Sequence, residues 1–95
     1  MDRISEMSAF VAVAEAHSFS AAAKKLGLSP PTITRTVSAL EDRLRAPLLV
    51  RTTRNVRLTD AGRQFLDDAR RILGDIAQAE QFAAGAQVIA RGALR

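Results

Sequence analysis

Phe19-Ser20-Ala21-Ala22-Ala23-Lys24-Lys25-Leu26-Gly27-Leu28-Ser29-Pro30-Pro31-Thr32-Ile33-Thr34-Arg35-Thr36-Val37 joins two short helical patterns at one glycine. Ser18 or Ser20 can cap the first, which is expected to bury Ala22, Ala23 and Leu26 and to point Lys24 and Lys25 outward. Gly27 supplies the left-handed stop. Ser29 is the natural N-cap of the second, because Pro30 and Pro31 lack the N–H that a helix interior needs but suit a first turn, where those donors are unpaired. Alanines 21–23 let two backbones approach closely. The segment reads as a helix-turn-helix, a shape that docks on duplex DNA.

Working outward, the helix after the turn is expected from Pro30 to about Arg45, with Ile33, Val37, Leu40 and Leu44 on one buried face. At 100° per residue the opposite face carries Pro31, Arg35, Ser38 and Asp42, flanked by Thr32 and Thr34. That surface is small, hydroxylated and basic, so it can lie close to base edges. Upstream, Ile4, Met7, Phe10, Val11 and Ala14 give an amphipathic helix over 3–16, capped by Asp2 and ended at His17-Ser18. His17 is read as a group near a helix C-terminus, with no further chemistry. Downstream, Ala46-Pro47 breaks the helix, and the apolar runs Leu48-Leu49-Val50 and Val56-Arg57-Leu58 flank Thr52-Thr53-Arg54-Asn55. After a helix-turn-helix this hairpin is most economically a wing, with Arg51 at its base and Arg54 at its tip.

Thr59-Asp60 opens the last helix with a capping hydroxyl and a first-turn acid. Phe65, Ala69, Ile72, Ile76, Ala79, Ala83, Ala86 and Ala90 alternate spacings of four and three, a heptad seam. From Asp60 to about Val88 the helix would be roughly 45 Å long. Packing on the chain's own core accounts for Phe65, Leu66 and Ala69 only, so the seam is expected to face a second chain. Gly85 and Gly92 weaken its far end.

The 95 residues suffice for one small domain whose marginal burial a partner chain would reinforce. Residues 24–57 hold eight basic side chains against Glu41 and Asp42, a net +6 within a total of +4, leaving −2 elsewhere. A basic stripe beside a helix-turn-helix is the electrostatic footprint of a nucleic-acid binder. There is no cysteine and one histidine, so thiolate metal sites, disulfides and most catalytic constellations are excluded. Asp67-Asp68 reads as solvated helix surface. An enzyme is not expected. The charged start lacks a signal peptide's apolar run and no stretch approaches a membrane span, so an intracellular chain without membrane contact is expected.

Several motifs, in order, resemble the N-terminal region of LysR-type transcriptional regulators across essentially the whole chain. They are Phe10-Val11-Ala12-Val13-Ala14-Glu15, Ser18-Phe19-Ser20-Ala21-Ala22-Ala23, Leu40-Glu41 with Leu44, Arg51-Thr52, and Val56-Arg57-Leu58-Thr59-Asp60-Ala61-Gly62. The resemblance implies a mainly α fold with a small β-hairpin: a winged helix-turn-helix followed by a long dimerising linker helix. The corresponding division is 1–59 for the DNA-binding domain (helix-turn-helix about 19–38, wing about 48–58) and 60–90 for the linker helix. Residues 91–95 resemble the junction into an effector-binding domain absent from this chain. It further implies a homodimer, commonly antiparallel, tetramers of the intact protein, and bacterial cytoplasm with the nucleoid. A cofactor is not expected; a small-molecule effector belongs to the absent domain alone. Two departures stand out: Pro30 replaces the family's usual glutamine, and Leu49 its usual wing phenylalanine. Thr34 stands where serine is common and keeps the hydroxyl.

Sequence-specific binding of double-stranded DNA is then expected, with the first half of the recognition helix in the major groove. Arg35 suits guanine O6 and N7, Thr32 and Thr34 reach bases or phosphates, and Pro30 and Pro31 meet thymine methyl groups. Ser29, Lys24 and Lys25 hold phosphates. Ser38 and Thr53 complete the contact set, Arg54 enters the minor groove, and Arg51 either meets the backbone or pairs with an acid of its own domain. The dimer contacts are Phe65, Ala69, Ile72, Ile76, Ala79, Ala83 and Ala86. The alternative is a non-enzymatic architectural or protein-interaction module using the winged helix as scaffold.

Overall fold

Three helices, α1 (Arg3–Ala16), α2 (Phe19–Leu26) and α3 (Pro30–Leu44), precede a hairpin of β1 (Leu49–Arg51) and β2 (Val56–Leu58), and α4 (Asp60–Ala93) closes the order. The computed structural model describes residues 2–52 and 54–93, with side chains as far as 85.

Each helix of the body starts on a side chain that satisfies its first free amides. Asp2 accepts from the Ser5 amide at 2.7 Å, Ser18 from Ala21 at 3.0 Å, and Ser29 from Thr32 at 3.3 Å. Of the two serines proposed to cap α2, the structure uses Ser18. Gly27 turns left-handed at φ 69°, its amide reaching the Lys24 carbonyl while that of Leu28 reaches Ala23. The other two stops fall where expected, at His17 and Arg45, but their conformation was not anticipated: both turn left-handed without being glycine, at φ 53° and 55°. Arg45 thus ends α3 just before the break expected at Ala46-Pro47.

The core forms two adjoining clusters. Ala9, Ala12, Val13, Ala22, Ala23, Ile33, Val37 and Val56 fill the space among α1, α2, α3 and β2. Phe10, Ala14, Leu40, Leu48 and Leu66 fill the space toward α4. Because α1 is packed against α2, α3 and α4, its buried arc is wider than a single stripe, and it excludes Ile4, which is exposed. Leu26 and Leu44, expected in the core, are each 37% exposed. Both are the last residue of a helix, beyond the edge of the packed layer.

The hairpin pairs antiparallel, with Leu49 opposite Leu58, Val50 opposite Arg57 and Arg51 opposite Val56. It starts one residue later than the apolar run suggests, since Leu48 is buried instead of paired. Glu41 makes that possible: its Oε2 accepts from the Leu48 and Leu49 amides at 2.7 and 3.1 Å and so fixes the chain where it leaves α3. Thr59 seals the other side, its hydroxyl donating to the Pro47 carbonyl and accepting from the Gly62 amide. Gly62 lies against Leu48 so closely that an added methyl would overlap the Leu48 carbonyl, 2.9 Å from its carbon and nearer still to its oxygen. Across the body, the buried Glu6 on α1 pairs with Arg43 on α3.

The first eleven residues of α4 belong to this packing. Leu66 and Ala69 are buried, Phe65 packs on Phe10 with ring centroids 5.6 Å apart, and Arg70 meets Glu15 at 3.1 Å. The body therefore runs past residue 59 to about Ala69. Beyond it α4 continues as one helix through Gly85 to Ala93, longer than expected, and the molecule measures 60 by 25 by 21 Å.

Candidate nucleic-acid interface

The outward face of α3 follows from the inward one. With Ile33, Val37 and Leu40 buried, the turns between them present Pro30, Pro31, Arg35 and Ser38 to solvent, as expected. Thr32 and Thr34 are half-buried on the flanks. Ser29, Thr32 and Arg35 form one polar string: Ser29 and Thr32 hydroxyls lie 2.8 Å apart, and Arg35 Nη2 reaches Thr32 Oγ1 at 3.5 Å. The string keeps Arg35 over the first turn of α3. The intervening Thr36, which the sequence did not single out, is buried and donates to the Thr32 carbonyl at 2.7 Å.

Lys24 and Lys25 are exposed in the last turn of α2, where positive charge also suits the helix dipole. The wing turn is built by Thr52, whose hydroxyl accepts from the Asn55 amide at 2.9 Å and the Arg54 amide at 3.4 Å. Arg54 stands exposed on that turn. Thr53 lies outside the described residues.

Of the two roles expected of Arg51, the salt bridge to an acid of its own domain is not made among the described residues. Its guanidinium lies over the Phe19 ring, 3.7 Å from the centroid, and its Nη2 donates to Thr34 Oγ1 at 3.0 Å. No acid pairs with it among the described residues, so a cation–π contact and a neutral acceptor replace the salt bridge. It links β1 to both helices of the helix-turn-helix. A cleft of about 390 Å³ opens there, with Arg51 and Arg54 on the wing side and His17, Ser18, Phe19 and Ser20 on the other. His17 borders it with Nδ1 3.4 Å from the Val56 carbonyl oxygen.

The proposed dimer seam divides. Phe65, half-buried against Phe10, and the buried Ala69 pack in the chain's own core. Ile72 and Ile76 are half-buried, and Ala79 and Ala83 are exposed. The side chain of Ala86 lies outside the described residues. Sequence reasoning missed Phe82, which is 75% exposed on the flank of that seam. Its signal was available: it is the one aromatic residue after Phe65, on a turn where heptad counting admits only alanine.

Among the described residues no helix is long and apolar enough to cross a membrane, and no three His, Cys, Asp or Glu side chains cluster as a metal site would require.

Residues 4–63 match the family described as bacterial regulatory helix-turn-helix protein, lysR family. The chain is 46% identical over 76 residues to the HTH-type transcriptional activator AaeR of Escherichia coli (strain K12), covering 80% of this chain and 25% of that protein. It is 45% identical over 89 residues to the HTH-type transcriptional regulator TfdT of Cupriavidus pinatubonensis, covering 94% of this chain and 38% of that one. It thus spans well under half the length of these relatives. Among solved structures, the CbnR DBD–DNA complex is 44% identical with a TM-score of 0.82, over 92% of this chain and 99% of that one. The complex of the BenM DBD with benA site 1 DNA is 32% identical with a TM-score of 0.84, over 90% and 99%.

Proposed function

The chain belongs to the lysR family of bacterial regulatory helix-turn-helix proteins, as its DNA-binding domain, and from that premise we propose that it binds double-stranded DNA sequence-specifically as a dimer to regulate transcription. The observation that carries this is the outward face of α3, where Arg35 stands exposed between small residues while the opposite face is buried. The DNA-bound state of the similar CbnR domain supports it. Arg35 reads guanine through two N–H groups, Pro30 and Pro31 meet thymine methyls, and Thr32 and Ser38 lie beside them. Lys24, Lys25 and the N-terminus of α3 at Ser29 hold phosphates and set register. Arg54 enters the minor groove.

The homodimer forms through α4 from Ile72 onward, and the intact protein assembles dimers into tetramers in the cytoplasm, on the nucleoid. No catalytic step and no cofactor belong to these residues; a small-molecule effector acts on a further domain. An architectural DNA binder or a protein-interaction scaffold is the alternative in the same fold.

Selection of bound sites from random duplexes tests the reading: a defined pair of half-sites is expected. Recovery of binding without sequence preference would favour the architectural binder, and no binding the scaffold. On the selected site Arg35→Ala costs about 1–3 kcal/mol and relaxes one base preference, whereas Lys24→Ala weakens all sequences alike and lowers the salt slope by about 1. Equal losses on selected and random DNA for Arg35→Ala would refute its role.

A further inference from the structure

We infer that Arg51 is a positioning residue for the recognition helix, holding the Thr34 hydroxyl as a hydrogen-bond donor to an acceptor on bound DNA. This rests on the DNA-binding reading above and deepens it.

A guanidinium carries N–H donors and no acceptor. In the 3.0 Å contact with Arg51 Nη2, Thr34 Oγ1 therefore accepts, and its own hydrogen must turn elsewhere. A helical threonine can donate that hydrogen to the carbonyl one turn back, as Thr36 does to Thr32 at 2.7 Å. Thr34 makes no such bond among the described residues, and it is half-exposed on the flank of α3 nearest the wing. The donor is thus left for a ligand. The Phe19 ring, 3.7 Å from the guanidinium carbon, covers one face of Arg51 and leaves its N–H edge for Thr34. Lysine has no planar face to stack while donating sideways, so the arrangement requires arginine.

Two acceptors on DNA share the chemistry: a base edge in the major groove, such as purine N7, guanine O6 or thymine O4, and a phosphate oxygen. Both accept and neither donates at those atoms. Arg51 sets the direction of the hydroxyl, and Thr34 makes the contact.

The test compares the whole chain with Thr34→Val, Thr34→Ser, Arg51→Gln and the Thr34→Val/Arg51→Gln double variant. Each is titrated with the selected site, with every single base-pair change in a half-site, and with a neutral methylphosphonate at each backbone position, at several salt concentrations. Thr34→Val is expected to weaken the selected site about fivefold, the worth of one neutral hydrogen bond, and Thr34→Ser to restore it. Arg51→Gln should lose about as much with its salt slope unchanged, and the double variant no more than either single change. A base acceptor shows as discrimination lost at one base pair in Thr34→Val and in Arg51→Gln alike. A phosphate acceptor shows as one methylphosphonate to which both become indifferent. Unchanged affinity and preference in Thr34→Val overturn the inference however the Arg51 variants fold. So does a fall of about 1 in the salt slope of Arg51→Gln with additive losses, the signature of a direct phosphate contact. Failure of the unsubstituted chain to bind any duplex would instead remove the DNA-binding reading, before any variant is compared.

Discussion

The winged-helix body and the distal half of α4 are built from the same helix-forming residues, yet they are held in opposite ways. In the body every helix starts on a capping side chain, and the connections are fixed by Glu41, Thr59 and the Glu6–Arg43 pair. Past Arg70, whose guanidinium still meets Glu15, no hydrogen bond or ion pair joins the described part of α4 to another element, and Phe82 is left exposed on the flank of its seam. An unpaired helix of that length is marginal in water, because helices in proteins draw most of their stability from a packed face. The body carries its own stability; the distal helix needs a partner for its apolar face.

Glycines offer the sharpest way to break that contrast. Gly62→Ala drives a methyl into the Leu48 carbonyl, a clash between backbones that no rotamer relieves. The expected loss is about 3 kcal/mol or more, a large share of the roughly 5–15 kcal/mol that holds such a domain together. Gly74→Ala meets nothing within 4 Å and should stabilise the distal helix by roughly 0.5–1 kcal/mol. Thermal unfolding of the two variants checks the opposite signs. A Gly62→Ala protein melting with the unsubstituted chain would mean that α4 and β1 do not meet as described.

Next in size is the double variant Ile72→Asp with Ile76→Asp. Both side chains are half-buried in the monomer, so the body should keep its fold while the dimer dissociates in sedimentation equilibrium. A dimer that survives would move the interface away from this seam. The third test lies inside the body: Arg43→Ala leaves the buried Glu6 carboxylate without its cation, for a loss of about 1–3 kcal/mol in denaturant unfolding. Unfolding at an unchanged midpoint would show that the pair is solvated and structurally idle.

Much of this contrast was legible in the sequence, for local reasons. Ser29 before two prolines, Gly27 after an alanine run and Thr59-Asp60 before an apolar period each specify a boundary by chemistry within one turn, and the structure uses all three. What could not be read depends on distant parts of the chain. Nothing near Leu48 in sequence announces that Glu41 caps it, or that Gly62 touches it across the hairpin. Periodicity treated Ile4, Leu26 and Leu44 as core because it counts faces, whereas burial at a helix end depends on whether a neighbour extends that far. The candidate site divides the same way: the exposed face of α3 follows from its own period, but the Phe19–Arg51–Thr34 bridge joins three elements and has no sequence signature. Phe65 and Ala69 kept heptad spacing while serving the chain's own core, since one stripe can pass from an internal neighbour to an external one.

The smallest effect separates the two regions at a helix terminus. Asp2 is fully exposed, yet the Ser5 amide and then the Ser5 hydroxyl hold its carboxyl below the ordinary value of 3.8. A carboxylate with a depressed folded pKa adds stability above the unfolded pKa, and that stability is lost as pH falls through the folded value. Asp2→Asn caps about as well but does not titrate. The melting temperatures of the two proteins should therefore run parallel from about pH 7 to about pH 5, with the unsubstituted chain falling relative to Asp2→Asn once the solution is more acidic than the carboxylate range. Because the cap belongs to α1, the divergence should appear in the body's transition and be absent from dissociation of the distal helices. Parallel curves down to the lowest pH would mean that the Asp2–Ser5 bond is not formed in solution.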